Sequence, residues 1–141
     1  MIQLARALLY VVALIAMTLG AMNILLGPQL TAEFWQVVWG WFIPGTLYTD
    51  ALKTPSMDSE LRFYSVFWVA YAGVIFWALR EGLRGRTLSL LAGLFFLGGV
   101  ARALSWVMVG APDILFQLMM WIELAIPPLI AGLLYAGRRH W

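Results

Sequence analysis

The chain has 141 residues, of which 63% are hydrophobic and 11% are charged, and its formal net charge is +2. This length suits a single domain over residues 1–141, and the mean hydropathy of +0.87 is typical of a membrane protein. Because the sequence has no cysteine and a single histidine, His140, it argues against disulfides, iron–sulfur clusters, haem and zinc. We therefore expect no metal and no cofactor. No basic stripe is present, which argues against a nucleic-acid partner.

Four apolar segments are predicted to be transmembrane helices, since about 20 residues of helix match a hydrocarbon core roughly 30 Å thick. The first segment follows a short basic start, but Leu19-Gly20-Ala21 is a poor signal-peptidase site because leucine stands where a small residue is needed. We therefore predict an all-α integral membrane bundle of four transmembrane helices. Their expected ranges are about 7–26, 60–80, 87–109 and 114–136.

The first connecting loop, 27–59, contains an amphipathic segment with the sequence EFWQVVWGWF. Its aromatic and apolar residues recur at helical spacing, but the segment is too short to span a bilayer. Tryptophan is favoured at membrane interfaces. We therefore predict an extra helix over about 32–43 that lies in the outer interface, followed by a loop that crosses the mouth of the bundle.

Basic residues are distributed unevenly between the two sides of the predicted bundle. The side that holds both termini and the second loop carries six arginines, whereas the other side carries Lys53 and Arg62. The six are Arg6, Arg80, Arg84, Arg86, Arg138 and Arg139. Because basic residues are retained on the cytoplasmic side, we predict cytoplasmic N- and C-termini in a bacterial inner (cytoplasmic) membrane.

Arg102 lies inside the third apolar segment, within GGVARALSW. A rise of about 1.5 Å per residue places it roughly 10 Å below the outer boundary and places Glu123 roughly 14 Å down the next helix. The short turn 110–113 makes these two helices antiparallel neighbours. An unpaired charge near mid-bilayer costs about 3 kcal/mol. We therefore predict that the side chains of Arg102 and Glu123 are in contact.

Further polar residues are predicted in the same outer half of the bundle. Glu60, Tyr64 and Tyr71 recur on one face of the second helix, whereas Arg62 lies on another face and is expected to reach the lipid headgroups. The candidate ligand-binding residues are Asn23, Glu60, Tyr64, Arg102, Ser105 and Glu123. No catalytic residue is assigned.

Structural interpretations of these residues remain open at this point. The Arg102–Glu123 pair can serve only to fix the register of the bundle, and Glu60 can simply mark the start of a helix, where an acidic residue is favoured. The functional interpretation depends on the convergence of several polar groups in one half of the bundle.

Three stretches resemble a known family. They are ELRFYSVFWVAYAG (60–73), GGVARALSWVMVGAPD (98–113) and EL (123–124), in this order on the second, third and fourth predicted helices. They are similar to the bacterial domain-of-unknown-function 4345 family, small four-helix membrane proteins broadly similar to DoxX-like proteins. The resemblance extends from about residue 55 to residue 125 and, more loosely, over the first helix.

The family motifs match this chain at named positions. An Arg-Phe-Tyr motif matches Arg62-Phe63-Tyr64, a Gly-x-x-Arg-x-x-Ser motif matches 99–105, and a Gly-x-Pro turn matches Gly110-Ala111-Pro112. Ser65 stands where the family often has a glycine. The family carries no established activity, so the resemblance implies the four-helix fold and these residues, but no reaction.

Three functions agree with this sequence, and membrane lipids are partners in all of them. The first is binding of an amphipathic small molecule (lipid, quinone or isoprenoid-like) in a polar-lined cavity in the outer half, since apolar walls with a few convergent polar groups form most ligand sites. The second is an accessory or structural subunit of a larger membrane complex, or a homo-oligomer. The third is a lipid-modifying enzyme such as an isomerase, with Glu60 or Glu123 as acid or base. The sequence has no nucleotide motif or recognisable nucleophile, which favours a binding protein over an enzyme.

Overall fold

A computed structural model of the chain describes residues 1–41, 52–82 and 85–138. Over these residues the chain is all-α and forms five helices. They are α1 (Ile2–Leu26), α2 (Pro28–Gly40), α3 (Pro55–Arg80), α4 (Gly85–Val109) and α5 (Ile114–Arg138). Of these, α1, α3, α4 and α5 are long and apolar enough to cross a membrane. The prediction of four apolar spanning helices is confirmed, and the chain is a multi-pass membrane protein.

The spanning helices extend beyond the ranges that hydropathy predicted. The clearest case is α3, which begins at Pro55 instead of residue 60. The hydroxyl of Thr54 accepts a hydrogen bond from the N–H of Met57 at 3.4 Å, and Pro55 occupies the first turn, where its missing N–H is not needed. Capping therefore sets where the helix starts, whereas hydropathy marks only the apolar part of it.

A single residue, Gly27, separates α1 from α2. Its φ of +89° ends α1, and its N–H donates to the carbonyl of Asn23 at 3.1 Å. Pro28 then starts α2, where the hydroxyl of Thr31 donates to the carbonyl of Gly27 at 2.8 Å. This turn starts α2 before the predicted residue 32. The end of the predicted segment, 42–43, lies outside the described residues, and the interfacial position of α2 stays a prediction.

The spanning helices form two antiparallel pairs, α1 with α3 and α4 with α5, and α1 also packs against α5. Gly20 allows α1 to approach α3 closely, since a Cβ at this position would lie 2.9 Å from Cγ2 of Val69. The helices α3 and α4 meet where the hydroxyl of Tyr71 donates to the carbonyl of Leu91 at 2.6 Å. These contacts close the four helices into a bundle.

The two ends of the bundle differ in their packing. We call the end that holds Arg6 and Arg80 the basic end, and the end that holds Gly27 and Gly110 the turn end. The buried apolar core lies in the half toward the basic end. Its members are Ala5, Leu9, Val12, Ala13, Ala16, Ala72, Ile75, Ala78, Leu79, Leu88, Leu91, Ala92, Ile130 and Leu134. The buried polar side chains of Thr31, Ser65 and Glu123 lie in the other half, toward the turn end.

Candidate functional site

The predicted contact between Arg102 and Glu123 is present. Nε of Arg102 donates to Oε2 of Glu123 at 2.8 Å, which joins α4 to α5. The side chain of Glu123 is only 2% exposed, and it shares the buried stripe of α5 with Met120, Pro127 and Ile130. The carboxylate therefore faces the interior of the bundle, where Arg102 supplies the compensating charge that a buried ion requires.

Two glycines of α4 lie against Glu123 of α5. A Cβ on Gly99 would lie 2.9 Å from Cβ of Glu123 and 3.0 Å from Cγ of Leu124, which is closer than side chains normally approach. A Cβ on Gly98 would lie 3.7 Å from Oε2 of Glu123, an ordinary contact distance. Gly99 thus allows the close approach of α4 and α5 at this point, and Gly98 lies beside the acid itself.

Arg102 is less enclosed than its partner. Its side chain is 30% exposed, and the guanidinium carbon lies 5.9 Å from the centroid of the Phe116 ring, within the range of a cation–π contact. A guanidinium carries five N–H donors, and Glu123 accepts from Nε. Among the residues that the structure describes, no acceptor is bonded to the two terminal nitrogens of Arg102. Glu123 is therefore enclosed by the protein, whereas part of the Arg102 side chain can be reached from outside the bundle.

The other four candidate residues form no ion pair with Arg102 or Glu123 within the described ranges, and they differ in burial. Glu60 and Ser105 are exposed, and Asn23 is half-buried near the end of α1. Tyr64 is 55% exposed, and its ring meets the ring of Phe63 edge to face at 5.5 Å. Over the described ranges, no hydrogen bond links these four residues to Arg102 or Glu123. The structure therefore brings together two of the six candidates, and the ligand-binding role of all six stays a prediction.

Glu60 and Tyr64 nevertheless lie on the face of α3 that meets α4 at Tyr71. Toward the turn end this face is exposed, so α4 no longer covers it. The antiparallel pairing of Tyr71 with Leu91, continued along both helices, places Glu60 level with Arg102. An uncovered face of α3 and a half-exposed arginine of α4 thus lie at the same height on neighbouring helices.

Sequence reasoning missed the role of Arg62, which was expected to reach the headgroups. Its Nε and Nη2 donate to the carboxylate of Asp58 at 2.7 and 3.2 Å, and its Nη1 donates to the carbonyl of Ile24 at 2.6 Å. The spacing of Asp58 and Arg62 on a helix is a local signal for the ion pair. The bond to Ile24 joins residues 38 positions apart, so no local pattern indicated it.

A second arginine makes the same kind of contact at the basic end. The guanidinium of Arg6 on α1 donates to the carbonyl of Leu79 in the last turn of α3. Each helix of the α1–α3 pair thus receives, near its carboxyl end, an arginine from the amino-terminal part of the other. Cations are favoured at this end of a helix because its carbonyls carry a partial negative charge.

Residues 4–134 match the family described as Domain of unknown function (DUF4345). No curated protein and no solved structure matches the chain. The family description gives neither a ligand nor a reaction.

Proposed function

Because the chain belongs to the DUF4345 family, whose description assigns no activity, we propose from its own geometry that it binds a small amphipathic molecule, with the polar end of that molecule at Arg102. A lipid, a quinone or an isoprenoid-like molecule fits this description. In this proposal Glu123 orients Arg102, and Asn23, Glu60, Tyr64 and Ser105 line the surrounding cavity.

The proposal rests on the difference between the hydrogen bonds of Arg62 and those of Arg102. Arg62 uses Nε and both terminal nitrogens for bonds within the protein, whereas Arg102 is bonded through Nε to Glu123. Polar hydrogens inside a bilayer need acceptors, because lipid tails offer none. An oxygen-bearing ligand end supplies acceptors for the terminal nitrogens of Arg102 at the place where its side chain is exposed.

The route to this site is lateral, between α3 and α4. The face of α3 that α4 leaves uncovered carries the exposed side chains of Phe63, Tyr64 and Phe67. These rings provide an apolar wall for a hydrocarbon tail, while Arg102 at the same height provides the polar end. Apolar walls with a few polar groups are the usual form of a small-molecule site.

The proposed location is the inner (cytoplasmic) membrane of a bacterium, with both termini in the cytoplasm and the Arg102 site in the outer half. The uneven distribution of arginines supports this orientation. We place α2 in the outer interface, since Phe34, Val37 and Trp41 expose apolar surface there. We also propose that the chain is broadly similar to DoxX-like proteins.

Orientation is tested by cysteine labelling, because the natural chain has no cysteine. Ser56 and Glu81 are exposed residues near the two ends of α3, so Ser56→Cys and Glu81→Cys form a matched pair. A membrane-impermeant maleimide applied to intact spheroplasts should label Ser56→Cys and not Glu81→Cys. The opposite labelling pattern would invert the topology.

Ligand binding is tested by native mass spectrometry with lipidomics on the gently extracted full chain. Arg102→Lys keeps the positive charge but removes the paired terminal donors, and Arg86→Lys is an exposed control. Wild type and Arg86→Lys should retain one co-purifying amphiphile, and Arg102→Lys should retain about tenfold less. Equal content in all three proteins would refute the proposed function.

The alternative, a subunit of a larger membrane complex or a homo-oligomer, has one observation in its favour. On α4 the side chains of Leu90, Leu94, Leu97 and Leu104 are all exposed, and their spacing is that of a helix–helix seam. The same mass measurement distinguishes the two functions, since a subunit should retain a second polypeptide and not a small molecule.

A further inference from the structure

The charges at the Arg102 site cancel within the protein. Arg102 carries one positive charge, and Glu123, bonded to it at 2.8 Å, carries one negative charge. Glu123 is 2% exposed, so water does little to screen its carboxylate from anything that reaches Arg102. A ligand therefore meets a pair that has no net charge, even though the group it contacts is a cation.

A second acidic residue lies at the same height. Glu60 on α3 is level with Arg102 along the antiparallel pairing of α3 with α4, and its side chain is exposed. Its carboxylate adds negative potential on the side from which a ligand would approach. Among the described residues, Arg102 and Glu123 cancel in charge, and Glu60 on the neighbouring face of α3 adds a negative charge that disfavours an anion.

The hydrogen-bond donors of Arg102 place a second requirement on the ligand. A guanidinium donates hydrogen bonds and accepts none, so the polar end of a ligand at Arg102 must present acceptor oxygens. Phe116, at 5.9 Å from the guanidinium carbon, is apolar and adds no charge. Acceptors without a formal charge are carbonyl, ester and hydroxyl oxygens.

We infer that the ligand is a neutral amphiphile whose polar end presents carbonyl or hydroxyl oxygens to the terminal nitrogens of Arg102, and that anionic lipids are disfavoured. This inference rests on the proposed function and gives its ligand a chemical class. It also gives Glu123 a specificity-determining role, since its charge decides whether Arg102 attracts an anion.

The test measures binding of three probes to the full chain in detergent by equilibrium dialysis. Dioctanoylglycerol and a decyl-substituted benzoquinone are neutral and separate a glyceride source of acceptor oxygens from a quinone source. Dioctanoyl phosphatidic acid has the same acyl chains as the glycerol probe and adds a phosphate. Wild type should bind at least one neutral probe about tenfold more tightly than the phosphatidic acid.

Glu123→Gln removes the negative charge and keeps an acceptor for Nε of Arg102. It should raise the affinity for phosphatidic acid about tenfold relative to the affinity for the neutral probe, so that the preference of wild type for the neutral probe is lost. Glu60→Gln changes an exposed residue and does not threaten folding, and it should raise the same affinity by a smaller factor. Thermal unfolding confirms that each variant is folded.

Results that contradict the neutral ligand class differ from results that contradict the proposed function. If wild type prefers phosphatidic acid, and neither glutamine variant changes that preference, the neutral class is overturned while Arg102 remains the binding residue. If wild type binds no probe, the neutral class is likewise overturned. If Arg102→Gln binds every probe as tightly as wild type does, the proposed function itself is refuted.

Discussion

Arginine side chains join the helices in both pairs of the bundle, but they lie at different positions along the helices. In the α1–α3 pair, arginines lie at both ends and donate to the carbonyls of Ile24 and Leu79. In the α4–α5 pair, Arg102 lies within the span and bonds to a buried acid. Each pair also has one glycine where its helices approach closely, Gly20 in the first and Gly99 in the second.

Under the proposed function, this difference distinguishes an arginine of structural use from an arginine that binds a ligand. Arg62 is bonded through three of its nitrogens, and its acidic partner lies one turn away on the same helix. Arg102 is bonded through one nitrogen to an acid on another helix. Both arginines form an ion pair, so what separates them is position along the helices and, among the described residues, the number of guanidinium nitrogens that are hydrogen-bonded.

The largest effect is expected from breaking the α4–α5 ion pair on one side only. Arg102→Met should lower the free energy of unfolding by about 3–5 kcal/mol, because it leaves the buried carboxyl of Glu123 without its cation. The double variant Arg102→Met with Glu123→Leu should recover most of this loss. Unfolding in mixed micelles, followed by circular dichroism, measures both. A double variant as unstable as the single one would show that the pair does more than cancel charge.

The two sites of close helix contact, at Gly20 and Gly99, should lose similar amounts of stability when one methyl group is added. Gly20→Ala and Gly99→Ala should each cost about 1–3 kcal/mol, since the added Cβ would lie 2.9 Å from a neighbouring side-chain atom in both cases. Gly73→Ala and Gly93→Ala are the controls, because a Cβ at those positions meets nothing within 4 Å. The same unfolding assay should find these controls unchanged or slightly more stable. Equal losses at all four glycines would mean that helix packing is not the cause.

A smaller loss of stability is expected at the end of the α1–α3 pair. Arg62→Gln removes the donors to Asp58 and Ile24, but the pair is partly exposed and water replaces some of these bonds. The melting temperature should fall by less than in Arg102→Met, and high salt should reduce the difference from wild type. A loss as large as that of Arg102→Met would mean that the end of this pair is as critical as the interior of the other.

The smallest effect on stability is expected from the uncovered face of α3. Glu60→Gln and Tyr64→Phe change exposed side chains, so the free energy of unfolding should stay within about 0.5 kcal/mol of wild type. If this face lines the proposed site, both variants should nevertheless alter how much amphiphile co-purifies. Unchanged ligand content in both would remove Glu60 and Tyr64 from the site and leave Arg102 as its polar end.

The sequence predicted well those features that depend on local signals. The four spanning helices follow from the length of apolar segments, and the Arg102–Glu123 contact follows from charge and a short turn. The sequence did not indicate that α4 leaves Glu60 and Tyr64 uncovered, because helical periodicity identifies a face but not how far a neighbour covers it. The bond from Arg62 to Ile24 depends on the register of α1 against α3, which Gly20 and its neighbours on α3 set over a long sequence separation.

The short α4–α5 turn also affects how the protein is made. Only residues 110–113 separate the two helices, so Arg102 and Glu123 leave the ribosome soon after one another. A solitary α4 entering the bilayer would carry an unneutralised guanidinium, at a cost of about 2.5–3.5 kcal/mol. When α4 enters together with α5, Glu123 of α5 supplies the counterion. Insertion of α4 and α5 as one hairpin therefore avoids the cost of placing an unneutralised Arg102 in the bilayer.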